Sequence, residues 1–107
     1  MELAFCTAEI RDVCTVEARA VDQLGLKAAA ALRNRLSDLR AAEVVSDVLA
    51  GNPVRVVIDG LACYLIDLGD GCMVTVACNQ PSAKVDGNGN VDWSRVRRIK
   101  VLSMGRS

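Results

Sequence analysis

The hydrophobic period of this chain changes from helical to β at Pro53, and that switch constrains the fold more than any other feature. Before it, apolar residues recur at helical spacing: Ile10, Val13, Cys14, Val21 and Leu24 in one run, then Ala29, Leu32, Leu36 and Leu39 in the next. After it, "VRVVID", "CYLIDL" and "CMVTVAC" are short β-branched or alternating runs, the last setting Cys72, Val74, Val76 and Cys78 against Met73, Thr75 and Ala77. A block of helices followed by a block of strands predicts an α+β domain of two layers, with helices laid over one face of a sheet.

Capping and turn residues mark the elements. Glu2 to Cys6 reads as a first strand, and Thr7 as the N-cap of a helix with Glu9 in its first turn. Gly25 stops that helix, and a second starts at Leu26 with Arg33, Ser37 and Arg40 on its polar side. "AAEVVSDVLAG" extends the helical pattern through Val44, Val45, Val48 and Leu49 until Gly51 and Pro53 end it. "GDG" at Gly69 to Gly71 reads as a three-residue hairpin loop pairing Leu68 with Cys72, Ile66 with Val74 and Tyr64 with Val76, which gathers the large apolar residues on one face. "NQPSAKVDGNGN" reads as a mobile polar loop carrying Lys84. "VRRIKVLSM" is then the last strand, with Arg97, Ile99 and Val101 alternating against Arg98, Lys100, Leu102 and Met104. The expected whole is one domain, 1–107: an N-terminal strand and a helical hairpin packed on an antiparallel sheet of about four strands.

Composition narrows the chemistry. The chain has no histidine, which removes the commonest general base and a frequent metal ligand. Its five cysteines, Cys6, Cys14, Cys63, Cys72 and Cys78, form no C-x-x-C pair and lie in apolar or amphipathic runs, so they are expected to be buried, reduced thiols. No metal and no cofactor is called for. The start, "MELAFCTAEIRD", lacks a basic, apolar leader, and no stretch approaches the roughly 20 apolar residues of a membrane span, so a cytoplasmic location is expected.

Formal charge is zero, yet five of the thirteen bases (Arg95, Arg97, Arg98, Lys100 and Arg106) fall in the last thirteen positions with no acid among them. The remainder carries thirteen acids against eight bases, so the chain is a dipole with a basic end. Two readings of the last strand follow. Its charges guard an exposed sheet edge, or they lie on an open face inside the sheet and contact an anion, either phosphates or an acidic protein segment.

"LGLKAAAALRNRLSDLRAAEVVSDVLAG", then the Tyr-containing hairpin "ACYLIDLGDGCMVTV" and a terminal strand, resembles the RelE/HigB superfamily of toxin-antitoxin toxins, in the branch of plasmid maintenance killer and killer suppression proteins. The likeness runs from about Phe5 to Leu102 in element order, and its local motif is "RLSDLRAA". It implies a RelE-like fold, a bacterial cytoplasmic setting, a cognate antitoxin and scope for a homo-oligomer. In active members it implies an mRNA interferase, an endoribonuclease that inhibits translation by cutting mRNA on the ribosome. Two motifs depart from the family: Cys72, Met73 and Val74 stand where such toxins carry Trp-Arg-Ile, and Leu102 to Gly105 where they carry an Asp-Tyr-His-like ending. The residues left for the family's chemistry are Arg98, Lys100 and Tyr64 as catalytic groups, with Arg95, Arg97, Arg33 and Arg40 joining Arg98 and Lys100 on RNA; the pairing of Tyr64 with Val76 reads it otherwise as a core residue with its hydroxyl at an edge, and Arg33 and Arg40 otherwise form a solvated helix face. Trp93 either packs the preceding loop onto the domain or stacks on a base.

Overall fold

The computed structural model describes residues 1–44, 47, 52–79 and 91–106. Strand β1 (Glu2–Phe5) leads into helices α1 (Ala8–Thr15), α2 (Glu17–Leu24) and α3 (Leu26–Ala41). Strands β2 (Val54–Ile58), β3 (Leu61–Gly69) and β4 (Cys72–Cys78) follow, then a 3-10 turn (Trp93–Arg95) and β5 (Arg98–Arg106). The expected helical extension through Val44 is corrected, since α3 ends at Ala41 and Ala42 is extended (φ −73°, ψ 146°); its remainder at Val45, Val48 and Leu49, and the loop with Lys84, lie outside the described residues.

Thr7 caps α1 as its sequence position predicts, its side-chain oxygen accepting a hydrogen bond from the Ile10 N–H at 3.1 Å. Thr7→Ala should lower unfolding free energy by about 1 kcal/mol, measured by urea denaturation. The single helix expected from Ile10 to Leu24 is instead two. Thr15 turns its hydroxyl back to the Arg11 carbonyl at 2.8 Å, and Val16 leaves the helical region at φ −113° and ψ 110°. Two adjacent β-branched residues and a back-bonding hydroxyl weaken the helix at that point. The break re-aims the chain so that Ala20 and Leu24 of α2 reach the same core as Val13 of α1.

α3 keeps the predicted stripe, with Ala29, Leu32, Leu36 and Leu39 all buried, while Arg33, Ser37 and Arg40 stay outside. Its last carbonyls meet a cation, because the Met1 ammonium donates to Arg40 O at 3.0 Å and Ala42 O at 2.9 Å.

Among the described residues the sheet has five strands in the order β1-β5-β4-β3-β2: the expected four, β2 to β5, are antiparallel, and the expected N-terminal strand adds a fifth. β1 is the exception, running parallel to β5. Both hairpins close through Asp-Gly pairs with positive φ at both turn residues: Asp59 (50°) and Gly60 (80°), then Asp70 (52°) and Gly71 (74°). That geometry is the two-residue turn whose twist suits antiparallel strands. The three-residue loop expected at Gly69 to Gly71 is therefore corrected: Gly69, not Leu68, stands opposite Cys72. A bulge between Asp67 and Gly69 absorbs the extra residue and preserves the expected pairs Ile66–Val74 and Tyr64–Val76.

A second bulge corrects the alternation of the last strand. Thr75 faces Ser103 while Val76 faces Val101, so Leu102 is skipped and Met104 moves opposite Val74 onto the face of Ile99 and Val101. That face, with Leu3, Phe5, Tyr64, Ile66, Val74 and Val76, packs against all three helices in one core. The result is two layers, three helices on one face of the sheet and none described on the other. Among the described residues, no helix is long and apolar enough to cross a membrane.

Candidate functional site

β5 lies between β1 and β4, so its bases do not guard an outer edge. Strand register places Glu2 and Ala4 of β1, Arg98 and Lys100 of β5, Ala77 of β4 and Cys63 of β3 on the face away from the helices. Arg98 and Lys100 are thus neighbours on the face away from the helices, two residues apart on an interior strand, with Arg98 exposed, Lys100 half-buried and the small Ala77 and Cys63 beside them buried. The Arg98 guanidinium pairs with the Glu2 carboxylate at 2.9 Å, both largely in solvent. Lys100 is half-buried between Ala4 and Ala77, two small residues that leave its aliphatic stem room along the sheet. The same face carries the half-buried Thr75 on β4, Leu65 on β3 and Val56 on β2, one, two and three strands from β5, and Met73 toward the far end of β4 opposite Gly105.

The other candidates sit elsewhere. Arg97 precedes β5, and with Arg98 it borders an open cleft shared with Met1, Glu2, Ala42 and Glu43. Arg95 lies in the 3-10 turn and pairs with Asp92 at 3.5 Å. The Ser94 hydroxyl, and less strongly the Ser94 N–H and Arg95, hold the Asp92 carboxyl below the usual carboxylate range against a smaller upward push from burial. Arg33 is on the helix layer, 3.5 Å from Glu17, and Arg40 is near the end of the same helix. The sheet separates both from Arg98 and Lys100.

Tyr64 is buried on the helix side of the sheet, where its hydroxyl accepts a hydrogen bond from Arg55 Nε at 3.0 Å. Trp93 is buried against it, edge to face, with ring centroids 4.6 Å apart. Trp93 therefore packs its segment onto the domain, and its ring is not presented for stacking on a base. Of the three residues assigned to catalysis, Arg98 and Lys100 come together, and Tyr64 lies across the sheet from them. Two participants were not anticipated, Glu2 and Arg55. The second was within reach of the sequence: a two-residue turn at Asp59 and Gly60 counts back to place Arg55 opposite Tyr64.

The thiols divide by burial. Cys63 and Cys72 are buried, Cys14 and Cys78 are half-buried, and Cys6 is exposed, against the expectation that all five are interior. Cys6 follows the end of β1, its N–H still donating to Val101 O at 2.9 Å while its side chain is exposed. Burial pushes the Cys14 thiol up to about 11, partly opposed by Arg40, and burial also raises Cys63 against a backbone hydrogen bond from Ile58. Since the thiolate is the nucleophile, iodoacetamide at neutral pH should label Cys6 first and leave Cys63 and Cys72 until denaturant is added, as read by peptide mass spectrometry. Among the described residues, no group of three or more Cys, Asp or Glu side chains gathers as a metal site.

Comparison with family models, curated proteins and solved structures returned no match.

Proposed function

We propose that this chain is a non-catalytic binding module on a RelE-like two-layer scaffold, which captures an acidic segment of a partner protein on the open face of its sheet. The observation that carries this reading is the placement of Arg98 and Lys100 together on that face while Tyr64 lies on the other. Positive charge on β5, with half-buried Thr75, Leu65 and Val56 on the successive strands across the same face, suits a segment that is acidic and partly apolar. Charge complementarity would set the rate and specificity of capture.

The family resemblance supports a second reading, the toxin of a type II toxin-antitoxin system that cleaves mRNA on the ribosome. Its specific support is the same pair of cations, which would serve phosphates equally well. RNA cleavage by 2′-hydroxyl attack also needs a base and an acid beside the stabilising cations. The nearest acidic group identified on that face, Glu2, is engaged with Arg98.

One experiment separates the two readings: primer extension on a defined mRNA in a purified translation system, with and without ribosomes. The module reading predicts intact message at protein in large excess over ribosomes. Ribosome-dependent breaks would overturn it in favour of the toxin, and Arg98 and Lys100 would be the first residues to substitute.

A further inference from the structure

We infer that β2 is a pairing edge for a second copy of this chain, giving a two-fold dimer through antiparallel β2–β2 contact. This surface is distinct from the basic face, and the inference stands whatever that face binds.

β2 ends the described sheet on the side away from β1. Edge strands are usually protected by charge, proline or a covering segment; Pro53 stands just before β2, and within it the one charged residue is Arg55, exposed and donating its Nε to the Tyr64 hydroxyl. Around it Val54 is 51% exposed, Val57 73%, Ile58 38% and Leu61, across the turn, 48%. The opposite edge differs: β1 begins at an ammonium bound to the end of α3, and its Glu2 is paired with Arg98.

Register decides which backbone groups face outward. The pair flanking the two-residue turn, Ile58 and Leu61, shares ladder bonds, and alternate pairs do so along the hairpin. Val54, Val56 and Ile58 therefore turn their backbone groups toward β3, and Arg55 and Val57 present N–H and C=O to the outside. A second β2 running antiparallel, with the two-fold axis at Val56, matches these groups: Arg55 of each copy meets Val57 of the other. In the same register Val54 faces Ile58 and Val56 faces itself, so the apolar residues coincide and the two arginines are not directly opposed. Self-matching of this kind is what a two-fold contact requires.

Charge also permits a second copy, since a chain with thirteen bases and thirteen acids has no net repulsion from itself. A five-residue edge contact falls below the roughly 1,200 Å² at which stable complexes begin, so the dimer is reversible and concentration-dependent. The axis stands perpendicular to the sheet, which keeps both open faces on one side. With three strand spacings from β2 to β5 in each copy, the two basic strands lie roughly 34 Å apart at about 4.8 Å per strand.

The test is sedimentation equilibrium of the full chain from micromolar to millimolar concentration, together with amide hydrogen exchange over the same series. The expected result is a mass that rises from one chain toward two, with exchange at Arg55 and Val57 slowing in step. Val57→Lys places a charge on an already exposed edge position and should weaken association about tenfold or more, with unchanged circular dichroism. Val16→Lys, on the exposed break between α1 and α2, should leave association as it is. A single-chain mass at millimolar concentration, or exchange at Arg55 and Val57 that ignores concentration, overturns the proposal. So does protection of those two amides that appears only when an acidic peptide is added, which would give the edge to another partner. If Val57→Lys alters the fold, the wild-type exchange series alone decides.

Discussion

Leu36→Ala should lower the free energy of unfolding by about 3 kcal/mol, within the range of 2 to 5 found when a fully buried leucine is cut back to alanine. Leu36 is 1% exposed in the middle of α3, among Leu32, Leu39 and the apolar face of the sheet. The loss has two parts, the transfer energy of the deleted carbons and the space they leave. Collapse into that space is restricted, because the sheet beneath is held by both hairpins and by β1 on β5. With three aromatic residues in the chain, the core depends on close packing of aliphatic groups. The control is Leu26→Ala at the start of the same helix, where the side chain is 74% exposed. It should change stability by no more than about 0.5 kcal/mol. Urea midpoints for the two variants, at equal m-value, check the contrast.

The second large effect concerns function. Arg98→Glu combined with Lys100→Glu should weaken capture of an acidic peptide by roughly 100-fold at low salt, because two attractions become repulsions. Wild-type binding should itself weaken as salt rises, since the cations are partly or largely in solvent. The same double variant should stay folded. The Arg98–Glu2 pair is exposed, and pairs of that kind contribute only about 0 to 1 kcal/mol. Isothermal titration at two salt concentrations, with thermal melts beside it, separates lost affinity from lost structure. Arg33→Glu combined with Arg40→Glu should leave peptide affinity unchanged, because those residues stand on the helix layer behind the sheet.

The parts of the fold legible in the sequence are those governed by local chemistry. The cap at Thr7, the stop at Gly25, the stripe of α3 and the runs of all five strands follow from side-chain type and spacing. The break at Val16 does not, because its neighbours keep helical spacing on either side of it. Only the competition between the Thr15 hydroxyl and the helix ladder marks the place. Bulges are harder still. The one at Leu102 reverses which face Met104 belongs to, and the alternating run "IKVLSM" carries no sign of it.

The site divides in the same way. That Arg98 and Lys100 share a face follows from period two alone. Whether their strand is interior or exposed depends on where β1 docks, which is a long-range pairing that no local pattern contains. The resemblance grouped Tyr64 with them as chemistry. The expected pairing of Tyr64 with Val76 already sets it on the apolar face, and the structure keeps it there.

The central claim is that the open sheet face, centred on Arg98 and Lys100, is the working surface. Its most direct test is a titration of isotopically labelled protein with a short acidic peptide, followed by amide chemical shifts. The account predicts saturable changes at Glu2, Ala4, Thr75, Ala77, Arg98 and Lys100, with the amides of α3 unmoved. Shifts confined to the helix layer, or no saturable shift at low salt, would contradict it.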